Sequence, residues 1–167
     1  METKVFVYDT AIGKTGIAEK GGFITGLFFS NASIPEEYIK EETPLLKKAF
    51  GQLNEYLEGK RTAFDLPLKP EGTEFEQKCW DNLLTIPYGE TRTYGEQAKR
   101  IGNPKASRAV GRANSVNPIA VFIPCHRVIG ANGSLTGFAG GLDLKRQLLI
   151  LERKNAFCLN FTAGKDD

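Results

Sequence analysis

Residues 119–130 read Ile119-Ala120-Val121-Phe122-Ile123-Pro124-Cys125-His126-Arg127-Val128-Ile129-Gly130, an apolar run that leads into a Pro-Cys-His-Arg step. The run from Ile119 to Ile123 predicts a buried strand. Pro124 has no backbone N–H and therefore ends any sheet pairing. Cys125 is expected at the mouth of the fold, with the only histidine of the chain, His126, directly after it.

The Cys125–His126 pair suggests a nucleophile and its base. A cysteine reacts as the thiolate, and an ordinary thiol pKa of about 8.5 leaves little thiolate at neutral pH. A reactive Cys125 therefore needs a base, and His126 is the only imidazole available. Either residue alone is more typical of a protein core. Their combination, between a strand-ending proline and Arg127, favours a nucleophilic site.

The composition sets mild bounds. The chain has 167 residues, is 41% hydrophobic and 25% charged, and carries a net charge of +2, which is compatible with one domain or two small ones. It has neither a signal-peptide pattern nor an apolar run of about 20 residues, so we expect a soluble, cytoplasmic protein without a membrane partner. Three scattered cysteines, Cys79, Cys125 and Cys158, argue against disulfides, and with one histidine they predict no metal site.

The N-terminal part predicts a small antiparallel sheet followed by a helix. Residues 4–8 and 22–29 are rich in β-branched and aromatic side chains, with a turn near Gly13. An apolar stripe at helical spacing starts after Thr43-Pro44 and ends at Gly59. Polar groups of this part are not expected to converge on a site. The extended segment 60–71 predicts a domain boundary, the alternative being one domain with a long loop.

The second part predicts a helix-turn-helix. Two capping boxes begin helices, at Thr73 to Glu76 and at Thr93 to Glu96, and the first helix places Cys79 in its apolar stripe. Asn103-Pro104 predicts the start of another helix that reaches about Asn114. Residues 92–112 contain one acidic residue, Glu96, and six basic residues: Arg92, Lys99, Arg100, Lys105, Arg108 and Arg112. Such a basic block indicates nucleic-acid binding, with a solvated helix face as the alternative.

The C-terminal part predicts a glycine-rich loop and a last helix. Glycines at 133, 137, 140 and 141 surround Phe138 and Ala139, where they permit a close approach to a flat ligand. The helix is expected from Asp143 to Lys154. Glu152 lies on or beside its apolar stripe, so it is either a surface charge at the helix end or a buried carboxylate with a partner such as an imidazole.

Residues 123–128 closely resemble the acceptor-cysteine signature of the O6-alkylguanine-DNA alkyltransferases. Between Thr73 and Glu152 the order and spacing of further motifs are similar to the family: Pro87-Tyr88-Gly89, Thr93-Tyr94, residues 102–111, Asn117-Pro118, Gly140-Gly141-Leu142 and Glu152. The resemblance implies an α+β protein. It would have a small N-terminal ribonuclease-H-like α/β domain, residues 1–67, and a C-terminal winged-helix-like, helix-turn-helix domain, residues 71–157.

The resemblance also implies direct reversal of DNA damage. The expected partner is duplex DNA that contains O6-alkylguanine, with O4-alkylthymine as a second candidate substrate, and the damaged base would be flipped into a pocket. Cys125 would take the alkyl group irreversibly, once per molecule. A monomer without metal or cofactor is expected.

The family assigns a role to each matching residue. Cys125 would be the acceptor, His126 the base acting through a water and Glu152 the carboxylate that orients His126, with Asn117 bracing the site. Tyr94 would rotate the phosphate and assist the leaving guanine at N3, and Arg108 would fill the gap of the flipped base. Substrate contacts are expected from Tyr94, Val128, Phe138 and Ala139, and DNA contacts from Tyr94, Asn103, Lys105, Ser107, Arg108 and Arg112.

Two departures and three other functions accompany this interpretation. Many members have serine at the position of Ala139, which bears on substrate range, and the zinc ligands of some members are missing. An alkyltransferase-like protein that binds without repair would lack Cys125. A Cys-His hydrolase leaves the basic helices unexplained, and a helix-turn-helix regulator leaves Cys125 and His126 unused.

Overall fold

The computed structural model describes the backbone of residues 1–165 and the side chains of residues 1–159. The chain begins with a sheet in the order β3-β2-β1-β4, built from Lys4–Thr10 (β1), Gly13–Lys20 (β2), Phe23–Phe28 (β3) and Ile39–Lys40 (β4). The first three strands are antiparallel, and β4 is parallel to β1. The antiparallel sheet was predicted, but β2 was not. Its glycines and charges are poor strand formers, and pairing on both edges holds it extended.

Helix α1, Pro44–Leu57, packs on this sheet as its apolar stripe predicted. The Oγ1 atom of Thr43 accepts a hydrogen bond from the backbone N–H of Leu46 at 3.1 Å. Gly59, directly after the helix, has a φ of 77°, a conformation that glycine adopts without strain. Leu46 and Leu53 are fully buried. The predicted start and end of this helix are confirmed.

The segment after α1 runs beside β3. The N–H of Ile24 donates to the Pro67 carbonyl at 2.7 Å, and that of Lys69 donates to the Ile24 carbonyl at 2.9 Å. One hydrophobic core contains side chains from both sides of this segment, among them Leu53 and Trp80. The two predicted domains therefore share a core, and the limits 1–67 and 71–157 stay a prediction.

The second part contains the predicted helix pair. Helix α2 is Glu74–Leu83, β5 is Arg92–Thr93, α3 is Tyr94–Arg100 and α4 is Ser107–Ser115. Both capping boxes are present, and Cys79 is buried as predicted. The predicted start of α4 at Asn103 is wrong. Residues 103–106 form a turn in which the N–H of Ala106 donates to the Asn103 carbonyl at 3.0 Å, and helical bonds begin only afterwards.

The predicted strand before Cys125 is also wrong. Residues 119–123 are buried, but within the described structure their strand pairing is limited to a single bridge between Ala120 and Ile123, and Val121 has a φ of 75°. The N–H of Ile123 donates to the Ile119 carbonyl at 2.9 Å, so the run is a tight buried turn. The apolar residues of this run predicted its burial correctly, but an apolar run does not distinguish a strand from such a turn.

A short 3₁₀ helix, Cys125–Arg127, follows this turn and leads into β6, Val128–Ile129, which is parallel to β5. The last helix, α5, is Leu142–Lys165, longer than the predicted 143–154. Asn155 explains part of the extension, because its Nδ2 donates to the hydroxyl of Tyr88 at 3.1 Å. In the part of the chain that the structure describes, no helix is long and apolar enough to cross a membrane.

Candidate active site

Cys125 begins the 3₁₀ helix at the edge of a cavity of about 410 Å³. The cavity lies between α4, the buried turn and the loop 130–141, and its lining includes Tyr94, Ser107, Arg108, Gly111, Asn114, Asn117, Cys125, Phe138 and Ala139. Cys125 is only 7% exposed. Cys125 was expected at the mouth of the fold, and the structure places it in a more enclosed position than that.

Burial governs the state of the Cys125 thiol. It raises the pKa of the thiol, and a hydrogen bond from the Asn117 side chain and the positive charge of Lys145 oppose it only in part. The resting group is therefore the neutral thiol. If Cys125 is to react as a thiolate, it needs a base close by.

His126 is fully buried, and its two ring nitrogens have different surroundings. Nε2 lies 2.6 Å from Oε2 of Glu152, whereas Nδ1 has no hydrogen-bond partner within the described residues. Burial lowers the pKa of His126, against the opposing effect of Glu152. A neutral imidazole that donates from Nε2 to the carboxylate keeps the lone pair of Nδ1 free to accept a proton.

Glu152 is the centre of the polar network behind the thiol. Besides His126, it accepts hydrogen bonds from the hydroxyl of Tyr56 at 2.5 Å, from Nε and Nη2 of Arg127 at 2.7 and 3.1 Å, and from the N–H of Gly89 at 3.3 Å. Burial favours the neutral acid, but the hydrogen bonds and charges of His126 and Arg127 outweigh it and bring the pKa of Glu152 to about 2. The carboxylate is buried with an imidazole partner, one of the two alternatives for this position.

Tyr56 comes from α1, so the expectation that the N-terminal part sends no polar group to a site is wrong. The residue is fully buried, its hydroxyl lies 3.4 Å from Nε2 of His126, and burial raises its pKa. The signal in the sequence was a tyrosine next to Leu57 within an apolar helix stripe. A buried hydroxyl needs a partner, and here the partner is Glu152.

Arg127 and Lys145 are two further charged residues that sequence reasoning did not assign. Arg127 is 8% exposed, donates to the Ile86 carbonyl at 2.8 Å and lies over the ring of Tyr88. Lys145 is fully buried and donates to the Thr136 carbonyl at 2.8 Å, and burial lowers its pKa. Its position three residues before Leu148, on the apolar stripe of α5, could have flagged it.

The loop that closes the cavity is held from two directions. The Thr136 hydroxyl donates to the hydroxyl of Tyr94 at 2.9 Å. On the other side, Asn31 donates to the Ala139 carbonyl at 3.0 Å, and the ring of Phe29 packs on that of Phe138 at 5.5 Å. The sheet domain therefore helps to position the loop that carries two of the predicted substrate-binding residues.

The remaining predicted residues fall into two groups. Val128 is fully buried in β6 and does not belong to the described lining of the cavity, and Asn117 braces the buried turn. The predicted DNA contacts Asn103, Lys105, Arg108 and Arg112 are exposed, and Ser107 is half-buried. Arg108 and Arg112 lie one turn apart on α4.

Arg92 departs from the basic surface that was predicted. Its guanidinium donates to Oγ1 and to the carbonyl of Thr85, at 2.7 and 3.0 Å, so it is directed back into its own domain. Among the residues described, no group of three or more His, Cys, Asp or Glu side chains is placed to hold a metal ion.

Family models match both parts of the chain. Residues 4–70 match the ribonuclease-like domain of 6-O-methylguanine DNA methyltransferase, and residues 74–154 match the DNA binding domain of the same protein. These matches confirm the predicted fold class, a ribonuclease-like α/β domain followed by a DNA-binding domain.

Individual relatives agree with the family models. A methylated-DNA–protein-cysteine methyltransferase from Methanosarcina acetivorans is 59% identical over 71% of this chain and 76% of its own length. One from Mycobacterium bovis is 49% identical over 89% of this chain and 91% of its own. The crystal structure of Mycobacterium tuberculosis OGT in complex with DNA is 46% identical, covers 91% of this chain and 94% of that chain, and has a TM-score of 0.86.

Proposed function

This chain belongs to the 6-O-methylguanine DNA methyltransferase family, and we propose from that premise which residues carry the reaction. The protein repairs DNA by transferring the methyl group of O6-methylguanine to one of its own cysteines, and it binds DNA. We assign the acceptor to Cys125. The observation that carries the assignment is a buried thiol at the cavity wall, next in sequence to an imidazole whose Nδ1 is unpaired in the described structure.

The transfer begins with removal of the thiol proton. Because the pKa of Cys125 is raised, the proton leaves only when a base accepts it, and Nδ1 of His126, acting through a water, is the base in our proposal. Glu152 stabilises the imidazolium that forms. Lys145 stabilises the thiolate electrostatically, since its charge lowers the pKa of Cys125.

The second step exchanges one bond for another. Sγ of Cys125 attacks the methyl carbon, the carbon–oxygen bond breaks and its electron pair goes to O6 of guanine. The guanine then takes up one proton, which balances the proton that His126 took from the thiol, and Tyr94 assists its departure by a hydrogen bond to N3. The thioether is stable, so we propose a single, irreversible event per molecule.

The basic face of α4 would hold the duplex while the base is flipped. Arg108 and Arg112 are exposed on that face, and Lys105 is exposed in the turn before the helix, a grouping of cations that is suited to phosphate contacts. Arg108 also lines the cavity, which supports its insertion into the gap left by the base. Asn103 and Ser107, near the same helix start, would add polar contacts. Backbone groups of Cys125 and the Ala139 loop would contact the guanine edge, whereas Val128, outside the described lining, would support them from β6.

The proposal also covers the range of substrates, the oligomeric state and the cellular compartment. We propose that the cavity accepts other O6-alkylguanines, with O4-alkylthymine as a further candidate, because Ala139 and Phe138 offer an apolar wall. A monomer would suffice, because one chain supplies every residue named above. A free acceptor thiol also favours a reducing compartment such as the cytoplasm.

A stoichiometry experiment tests the function. The protein is incubated with increasing amounts of a duplex containing one O6-methylguanine, and the restored guanine is counted by chromatography of the digested DNA. We expect repair to stop at one guanine per protein molecule. The Cys125→Ala variant is expected to bind the same duplex and to restore none. Repeated turnover would contradict the single-event mechanism, and activity in Cys125→Ala would contradict the acceptor.

A further inference from the structure

Asn114 is a polar residue of the cavity that is both buried and, among the described residues, unpaired at its side-chain amide. It lies near the end of α4, is 7% exposed and lines the same cavity as Cys125. Within the described residues, neither Oδ1 nor Nδ2 has a hydrogen-bond partner. Buried amides in folded proteins are nearly always paired, so an unpaired one in a binding cavity indicates a partner that arrives with the ligand.

Asn117 provides a comparison within the same cavity. It is the same residue type, is 8% exposed and lies three positions later. Its Oδ1 accepts from the N–H of Ile119 at 3.0 Å, and its Nδ2 donates to the Ile123 carbonyl at 2.9 Å. The amide of Asn117 therefore holds the buried turn before Cys125, whereas the amide of Asn114 holds no described part of the chain.

We propose, resting on the function proposed above, that Asn114 binds the flipped base and determines specificity. Its Nδ2 would donate to a ring nitrogen of O6-alkylguanine. Alkylation at O6 leaves N1 without its hydrogen, so N1, N3 and N7 are all acceptors in the damaged base. With N3 assigned to Tyr94, the amide has N1 and N7 available. With Nδ2 facing N1, unmodified guanine would place its N1–H against a donor, so this orientation of the amide would also select against it.

The surroundings of Asn114 fit this role. No described hydrogen bond of the Asn114 side chain would have to break for the amide to bind a base. Across the cavity, Ala139 has no side-chain donor, and the hydroxyl of Tyr94 already accepts from Thr136. A side-chain donor on the α4 wall therefore complements a loop that recognises the base through backbone groups alone.

The test compares rate and stability in one variant. The leucine side chain in Asn114→Leu has the same number and branching of heavy atoms as asparagine, is somewhat larger and cannot form hydrogen bonds. In single-turnover transfer from an O6-methylguanine duplex we expect a rate about tenfold lower than that of the wild type, the effect of one lost hydrogen bond in a buried site. Its unfolding temperature is expected to equal or exceed that of the wild type, because an unpaired buried amide is replaced by an apolar group.

Asn117→Leu is the matched control and should lose both transfer rate and unfolding temperature. The proposal is overturned if Asn114→Leu transfers at the wild-type rate, or if its unfolding temperature falls as it does in Asn117→Leu. Should the leucine variant not fold, Asn114→Ala removes the amide without adding bulk, and the same two readouts apply. A wild-type protein that transfers nothing would refute the proposed function itself, which is a different outcome.

A modified substrate identifies the atom. With the 7-deaza analogue of O6-methylguanine, a wild-type to Asn114→Leu rate ratio of one would place the hydrogen bond at N7, because that acceptor is gone. A ratio that stays near ten would place it at N1.

Discussion

The two sides of Cys125 are built differently. On the inner side, His126, Glu152 and Tyr56 are 1% exposed or less, and hydrogen bonds of 2.5 to 2.7 Å tie them to one another and to Arg127. On the outer side, the cavity wall includes exposed and partly exposed residues and a loop held by a few contacts. A fixed inner side suits proton transfer, which depends on preorganised charges. A looser outer side can admit a base and the DNA attached to it.

Among variants that test the difference between the two sides, Glu152→Gln on the inner side is expected to have the largest effect on transfer rate and stability. The substitution removes the charge that orients His126 and leaves Arg127 buried without its carboxylate. We expect the single-turnover rate to fall roughly a hundredfold or more. Unfolding stability should fall by about 3 kcal/mol.

Affinity for the methylated duplex should stay nearly unchanged in this variant, because Glu152 is buried and cannot contact a phosphate. Rates of transfer and binding by fluorescence anisotropy, both measured on protein shown to be folded, check this. Equal rates for variant and wild type from pH 6 to 9 would rule out the relay.

Arg108→Ala tests the outer side, where Arg108 lines the cavity. If Arg108 fills the gap of the flipped base, its loss should slow repair of a methylated duplex about tenfold. The same methylated base in a single strand, which needs no flipping, should be repaired at nearly the wild-type rate. Arg112→Ala, one turn along α4, is the matched control and should weaken binding to duplex and single strand alike. A uniform loss in Arg108→Ala would make that residue an ordinary phosphate contact.

The loss of stability at acidic pH should depend on the buried network around Glu152 and His126. The pKa of Glu152 is about 2 in the folded protein and about 4.3 in an unfolded chain, so the unfolded state takes up the proton first as pH falls. The stabilisation is complete above about pH 5 and is lost towards pH 2. His126, whose pKa is also lowered by burial, adds a loss that begins below about pH 6.5. Across this range, the unfolding temperature should change less steeply with pH in Glu152→Gln than in the wild type. Identical slopes for the two proteins would contradict the lowered pKa of Glu152.

Tyr56→Phe is expected to have an intermediate effect on stability and a small one on rate. It removes one donor to a charged group, a change of about 2 kcal/mol, while His126 and Arg127 still hold the carboxylate. Urea unfolding and single-turnover transfer measure the two effects. A rate loss as large as that of Glu152→Gln would assign Tyr56 to proton transfer itself.

The smallest expected effect belongs to Asn31→Ala. The amide of Asn31 makes an exposed hydrogen bond to the Ala139 carbonyl, so its loss should loosen the cavity loop with a change of about 1 kcal/mol or less. We expect weaker binding of methylated duplex by a few-fold at most and an unchanged rate at saturation. A lower rate at saturation would show that the loop also sets the geometry of transfer.

The sequence predicted the elements whose signals are local. Both capping boxes, the apolar stripe of α1 and the basic block on the helix pair are present, because side chains within one turn specify them. It failed where tertiary contacts decide. The run 119–123 is a turn held by Asn117, and β2 is a strand only because β1 and β3 flank it.

The same distinction holds for the site. Cys125 and His126 are adjacent in sequence, and the spacing of α5 left a buried Glu152 as an alternative. Tyr56, separated from Glu152 by 96 positions, was not found, because no local pattern reports a contact between distant elements. Asn114 was missed for a related reason: only packing reveals that its amide has no described partner.

The most direct test of the account is the position of the methyl group after repair. Cys79, Cys125 and Cys158 lie in three different tryptic peptides, and cleavage after Arg112 and Arg127 isolates Cys125. After incubation with methylated duplex, peptide mass spectrometry should find one added methyl group, in place of one hydrogen, on the peptide that holds Cys125. A methyl group on Cys79 or Cys158, or no mass gain after guanine has been restored, would contradict the account.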